Sequence, residues 1–184
     1  MVQELLDSGA EVWASDIEEA AVRRAVERFP EIHIVDSEEL YDLPVDVFAP
    51  CAVGAVVRPS TIQRLRVSLV CGAANNVLQS PEDAELLEQK GIAYVPDFLC
   101  NRMGITNCCD EPWGYLEEEV GRAADKVYTD TLDVFEYARL HGCTTARAAD
   151  QLADQKATEL HPIHGHRGQK LIDHLVSSHW HEAH

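Results

Sequence analysis

The stretch V-D-V-F-A-P-C-A-V-G-A, Val45–Ala55, carries the reading of the fold. Its first five residues are nearly all apolar and too few for a helix, so they form a strand. They run into Pro50, Cys51, Ala52, Val53, Gly54 and Ala55, a turn whose small side chains let a flat ring or a sugar approach the backbone. The same design recurs outward in both directions. Downstream, the strand V-S-L-V-C at Val67–Cys71 meets G-A-A-N-N at Gly72–Asn76, and the strand Ile92–Val95 is followed by Asp97 and Asn101. Upstream, A-E-V-W-A-S at Ala10–Ser15 ends in Asp16, and Ile32–Val35 forms a further strand.

Helices are expected between these strands. Met1–Asp7 reads as a helix stopped at Ser8 and Gly9, and Ser60–Leu65 as another. Glu18–Arg28 places Ala21, Val22, Ala25 and Val26 at helical spacing and ends before Pro30. Pro81–Gln89 is closed by Lys90 and Gly91, and Ser37–Leu40 reads as a brief acidic turn. Strand and helix alternate, and every strand is short and apolar. Such strands are expected to be buried on both faces, in an α/β fold with a doubly wound parallel sheet of the Rossmann kind. After residue 100 the character changes. One long helix is expected at Glu111–Leu140 after a turn at Pro112, with others at Thr144–Thr158 and Gln169–Ser178. The expected division is 1–110 for the sheet and 111–184 for a helical segment packed on it.

Composition narrows the function. The 184 residues carry a formal net charge of −17, which repels phosphate backbones and argues against nucleic acid as a partner. No apolar run approaches the roughly 20 residues of a membrane helix, and the first residues show no signal-peptide pattern. A cytoplasmic location is expected. None of the six cysteines forms a C-x-x-C pair, so free thiols are expected, most of them as core fillers, with Cys108 and Cys109 as helix-packing residues. His161, His164 and His166 do not follow a familiar ligand spacing, and no metal site is expected. Trp113 and Tyr115 read as packing anchors.

In an open parallel sheet, ligands bind at the carboxyl ends of the strands. Asp16 sits at such an end and suits the two hydroxyls of an adenosine ribose; capping the helix at Glu18 is an equally good use of it. The loops at Pro50–Ala55 and Gly72–Asn76, with Asn101, stand at the next three ends. Loops of small residues are individually common, whereas three at successive strand ends point to a shared ligand. The fingerprint G-x-G-x-x-G is not in these 184 residues.

Taken in order, A-S-D at Ala14–Asp16, A-P-C-A-V-G-A-V-V at Ala49–Val57, G-A-A-N-N at Gly72–Asn76 and G-I-A-Y-V-P-D at Gly91–Asp97 resemble the C-terminal half of the glutamate/leucine/phenylalanine/valine dehydrogenases. N-x-x-G-I-x-N at Asn101–Asn107 and H-P-I-H-G-H-R at His161–Arg167 extend the resemblance, which is closest to the leucine and phenylalanine branch. It implies a cofactor domain of an enzyme that oxidatively deaminates L-amino acids with NAD. It implies that Asp16 contacts the adenosine ribose, that Pro50, Cys51, Ala52, Ala74, Asn75 and Asn76 line the nicotinamide side, and that Asn101 lies near the nicotinamide carboxamide. After Asn101 the family pattern is Ala-Gly-Gly, whereas Arg102, Met103 and Gly104 stand here.

The resemblance also implies what these residues do not include: the catalytic domain with its lysines and aspartate, and the first, central strand of the sheet. No catalytic residue is therefore assigned. The neighbours of a missing central strand would face each other across roughly 10 Å. The chain is expected to associate, as a homo-oligomer or with a complementary chain that carries the catalytic domain, and to be inactive alone. The alternative is a non-catalytic relative serving in assembly or regulation.

Overall fold

The computed structural model describes residues 1–110 and 117–158. In chain order these form α1 (Val2–Asp7), β1 (Trp13–Ala14), α2 (Glu19–Arg28), β2 (His33–Ile34), a short 3-10 turn (Glu39–Asp42), β3 (Val47–Phe48), α3 (Pro59–Ile62), β4 (Leu69–Val70), α4 (Asp83–Gln89), β5 (Ala93–Tyr94), α5 (Asp97–Cys100), α6 (Met103–Asp110), α7 (Glu117–His141) and α8 (Thr145–Thr158). The chain separates into two compact units, Met1–Ala149 and Asp150–His184. All five strands and the candidate loops belong to the first.

Local sequence explains the boundaries. The S-P-E-D run before α4 is a reach-back cap, with the buried Asp83 carboxylate accepting the Ser80 N–H at 2.8 Å. Gly91 ends the helix at φ +74°, a left-handed conformation that glycine adopts without penalty. Lys90 then donates to the carbonyls of Ile62, Gln63 and Leu65 at 2.6 to 2.7 Å, satisfying acceptors left over at the end of α3. Arg58 and Thr61 cap the start of α3, where Pro59 takes a first-turn position that needs no N–H.

All strand pairs are parallel, as expected. They form two sheets, β1–β2 and β3–β4–β5, where a sheet lacking its central strand was expected. In the first, Trp13 faces His33 and Ala14 faces Ile34. In the second, Phe48, Val70 and Tyr94 align across the three strands. A single parallel bridge, Val57 with Leu78, extends the β3–β4 side beyond the strands.

The apolar core lies on the second sheet. Val57, Ile62, Leu65, Val70, Val77, Leu87, Ile92 and Tyr94 belong to one buried cluster. The expectation that every strand is buried on both faces is corrected here. Neither residue of β2 is buried, and Val47 of β3 is 47% exposed. The reason is architectural: α1 and α2 contribute no buried residue, so the first sheet holds only Val12 and Ile32 inside. One further correction concerns 97–110, where two helices, α5 and α6, follow β5 in place of a simple strand end at Asp97 and Asn101. The long helix is described over Glu117–His141, and residues 111–116 of the expected Glu111–Leu140 lie outside the described residues. Cys51 is exposed, and Cys71, Cys100 and Cys143 are half-buried, so these four are not core fillers; Cys108, expected to pack in a helix, is exposed on α6. The expected turn at Pro112, the anchors Trp113 and Tyr115, the helix Gln169–Ser178 and the histidines at 161, 164 and 166 lie outside the described residues.

Candidate functional site

Two of the loops at the strand ends are laced together through their backbones. Ala74 N–H donates to the Pro50 carbonyl at 3.0 Å, Ala55 N–H to the Asn76 carbonyl at 2.7 Å, and Val57 N–H to the Val77 carbonyl at 3.1 Å. The approach requires glycine. A Cβ on Gly72 would lie 2.1 Å from the Pro50 oxygen, and one on Gly54 would lie 2.7 Å from the Asn75 oxygen. Ala55 and Asn76 hold φ values of 57° and 52°, so each loop turns through a left-handed residue where it meets the other. Pro50 and Ala74 are buried in this seam; Cys51, Ala52, Asn75 and Asn76 are exposed along its rim.

α5 and the turn after it close the third side. Asp97 accepts the Val77 N–H at 2.8 Å through one carboxylate oxygen and the Phe98 N–H at 2.6 Å through the other. This carboxylate therefore fastens the Gly72–Asn76 loop to the start of α5. Asn101, just past α5, donates from Nδ2 to Asn75 Oδ1 at 2.6 Å and lies 3.4 Å from the carbonyls of Ala73 and Ala74. After this contact Asn101 keeps its Oδ1 as an acceptor and Asn75 keeps its Nδ2 as a donor. Such a pair suits a planar carboxamide, which offers both partners.

Arg102 does not point into the loops. Its guanidinium forms a 2.6 Å ion pair with Asp130 on α7, and Lys126 reaches the same carboxylate at 2.9 Å. Burial of Asp130 pushes its carboxyl upward, but hydrogen bonds from Lys126 and Arg102 outweigh this and hold it below the usual range. The large residue that departs from the family pattern is thus drawn away to α7, which packs on α5 and α6.

Asp16 stands apart. It follows β1, is exposed, and accepts the Glu18 N–H at 2.9 Å through Oδ1. Asp36 repeats the arrangement after β2, accepting the Glu38 N–H at 2.8 Å, and the Ser15 and Ser37 hydroxyls join the two turns at 2.7 Å. The turn-capping use of Asp16 is therefore present, and its second oxygen is left for a ligand. Pro50, Cys51, Ala52, Ala74, Asn75, Asn76 and Asn101 come together, whereas Asp16 sits at the end of the other sheet. A cleft of about 270 Å³ opens beside the seam among Asn76, Ser80, Tyr94, Asp97 and Phe98. Asn76 alone of the assigned ligand residues lines it. Sequence reasoning missed Asp36, whose signal is its place one strand after Asp16, and the fastening role of Asp97. Among the described residues no three or more His, Cys, Asp or Glu converge as metal ligands, and no helix is long and apolar enough to cross a membrane.

Parallel strands flanked by helices, with interlocked loops gathered at the strand ends, define an α/β protein consistent with a Rossmann-like fold. The chain belongs to the Glutamate/Leucine/Phenylalanine/Valine dehydrogenase family, whose sequence model matches residues 10–112. It is similar to leucine dehydrogenase of Thermoactinomyces intermedius, with 36% identity over 156 residues covering 85% of this chain and 42% of that protein. It is 35% identical over 164 residues to valine dehydrogenase of Streptomyces coelicolor, covering 88% and 45% respectively. Its coordinates match the crystal structure of L-tryptophan dehydrogenase from Nostoc punctiforme with a TM-score of 0.79 at 34% identity, over 83% of this chain and 46% of that one. A match to the hetero-hexameric glutamate dehydrogenase of Thermus thermophilus, with a TM-score of 0.51 at 21% identity, shows the fold alone. The chain spans less than half the length of the curated relatives it matches.

Proposed function

We propose that this chain is the cofactor portion of an NAD-dependent L-amino-acid dehydrogenase, active only together with a catalytic domain. The observation that carries this reading is the interlocked rim at the strand ends, where small exposed side chains surround the Asn75–Asn101 amide pair. NAD, when bound, accepts a hydride from the substrate's α-carbon. The residues present suit its two ends. Asn101 and Asn75 would orient the carboxamide, the rim at Cys51, Ala52 and Asn76 would admit the ring, and Pro50 and Ala74 would support that rim from within. Asp16 would take the adenosine ribose and disfavour a 2′-phosphate by charge.

In the same reading the two sheets are halves of one doubly wound sheet. A central strand supplied by another segment or chain enters between β1 and β3, each of which leaves an edge unpaired. Residues 1–110 then form the nucleotide-binding portion, the helices from 111 support it, and the assembly is an oligomer in the cytoplasm. A second reading, a non-catalytic assembly or regulatory module, is favoured by Arg102 and Met103 standing where the family has two very small residues.

Calorimetric titration with NAD separates the two. Little heat is expected from the chain alone, and binding with turnover is expected once a catalytic-domain chain from a relative is added. Asp16→Ala should then weaken binding about tenfold or more, the scale of hydrogen bonds to a charged group. Turnover by the 184 residues unaided would overturn the incompleteness. NAD binding without turnover in every combination supports the second reading, and no binding in any combination overturns the cofactor assignment.

A further inference from the structure

Beneath the laced loops lie two thiols to which the proposed function gives no task. Cys71 follows the last residue of β4, and Cys100 is the last residue of α5. β4 and β5 are hydrogen-bonded neighbours with Val70 opposite Tyr94. α5 begins three residues after Tyr94 and runs back over the end of β4. Cys100 Sγ accordingly lies 3.1 Å from the carbonyl oxygen of Gly72, the residue after Cys71. Asn101 continues the contact along Ala73 and Ala74, so the chain from Cys100 onward is held against the chain from Gly72 onward. The Cys100 thiol also lies 3.6 Å from the Asp97 carbonyl oxygen, and the Cys71 and Cys100 thiols are close enough to shift each other's protonation. Both side chains are half-buried, which leaves room for a small oxidant. Cys51, by contrast, faces only the Met1 thioether at 3.7 Å.

We propose that Cys71 and Cys100 are a peroxide-sensitive dithiol that closes to a reversible disulfide. The neighbouring Cys100 thiol draws the Cys71 thiol down to about 7, so near neutral pH much of it is the nucleophilic thiolate. The same contact, with burial, pushes the Cys100 thiol upward and keeps its proton in place. The Cys71 thiolate attacks one oxygen of hydrogen peroxide. The O–O bond breaks, Cys71 becomes a sulfenic acid, and the departing hydroxide takes up the proton Cys71 had released. Cys100 sulfur then attacks Cys71 Sγ; the S–O bond breaks, the S–S bond forms, and hydroxide leaves with the Cys100 proton as water. Two thiols lose two electrons, and one peroxide becomes two waters. The proposal is independent of the nucleotide reading, because it needs only the two sulfurs and the oxidant.

Cleavage after lysine and arginine puts the two cysteines on separate peptides, residues 67–90 and 91–102. The whole folded chain is treated with hydrogen peroxide, alkylated in denaturant, digested and mapped by mass spectrometry. The expected result is these two peptides joined, and released by dithiothreitol. In Cys100→Ser the Cys71 sulfenic acid should persist and react with dimedone, and in Cys71→Ser neither product should form. Recovery of both wild-type peptides separately alkylated after peroxide, or of either cysteine joined to Cys51 or Cys108 instead, overturns the proposal. The wild-type map decides even where a serine variant folds poorly.

Discussion

A methyl group at Gly72 would sit 2.1 Å from the Pro50 oxygen and 2.6 Å from the Pro50 nitrogen, both backbone atoms that cannot swing aside. Gly72→Ala is therefore expected to destabilise the chain by about 3 kcal/mol, the upper part of the usual overpacking cost. Gly121 supplies the contrast. It lies exposed inside α7, and a Cβ there meets nothing within 4 Å. Gly121→Ala should stabilise by roughly 0.5–1 kcal/mol, since alanine loses less backbone freedom on entering a helix. Urea midpoints of the two variants against wild type check both signs. An unchanged midpoint for Gly72→Ala would mean that the two loops do not meet as described. The sequence marks both glycines alike; only the third dimension distinguishes a crowded one from a free one.

Among the elements, α7 is tied to the site by one carboxylate. Asp130 is 9% exposed and bridges Arg102, at the approach to α6, with Lys126 on its own helix. Its carboxyl is held below the ordinary value when folded, so the folded chain binds its proton less readily than the unfolded chain. The resulting stability is present in full above the unfolded value of about 4 and is lost as pH falls through the lower folded value. Asp130→Asn should cost about 1–3 kcal/mol at pH 7, the scale of hydrogen bonds to charged groups, and the deficit should shrink below pH 4. Denaturant titrations of both proteins at the two pH values test this; a deficit independent of pH would assign the loss to packing. The five strands, α2 and α4 were legible because apolar runs and the Lys90–Gly91 stop are local signals. α5 and α6 were less legible, because Asn101 is a common loop residue standing just after β5, and Cys108 and Cys109 carried the one helical expectation in that stretch. The signal in that stretch was Pro96 before Asp97, a helix-start pair. The reach from Arg102 to Asp130 crosses 28 positions and leaves no periodic trace.

Over the whole molecule, stability is distributed unevenly. The buried cluster lies between Val57 and Tyr94, while β1 and β2 rest on Val12 and Ile32. Local opening should follow that division. The amides of His33 and Val35, bonded to the Val12 and Ala14 carbonyls, should exchange with solvent about 100-fold faster than those of Ala93 and Val95, bonded to Ser68 and Val70. Residue-resolved hydrogen exchange by NMR measures this, and equal protection in the two sheets would refute it. The class of fold was visible in the alternation of strands and helices, and a break in the sheet was expected from the missing central strand; which strands pair within each part depends on contacts that apolar runs do not encode. The candidate site follows the stable half. Its rim at Pro50–Ala55 and Gly72–Asn76 is stitched by main-chain bonds and stiffened where Gly54 and Gly72 permit contact without intervening side chains. A rim already frozen in this way has little disorder left to surrender, so a guest settling on it would spend little of its contact energy on ordering the protein.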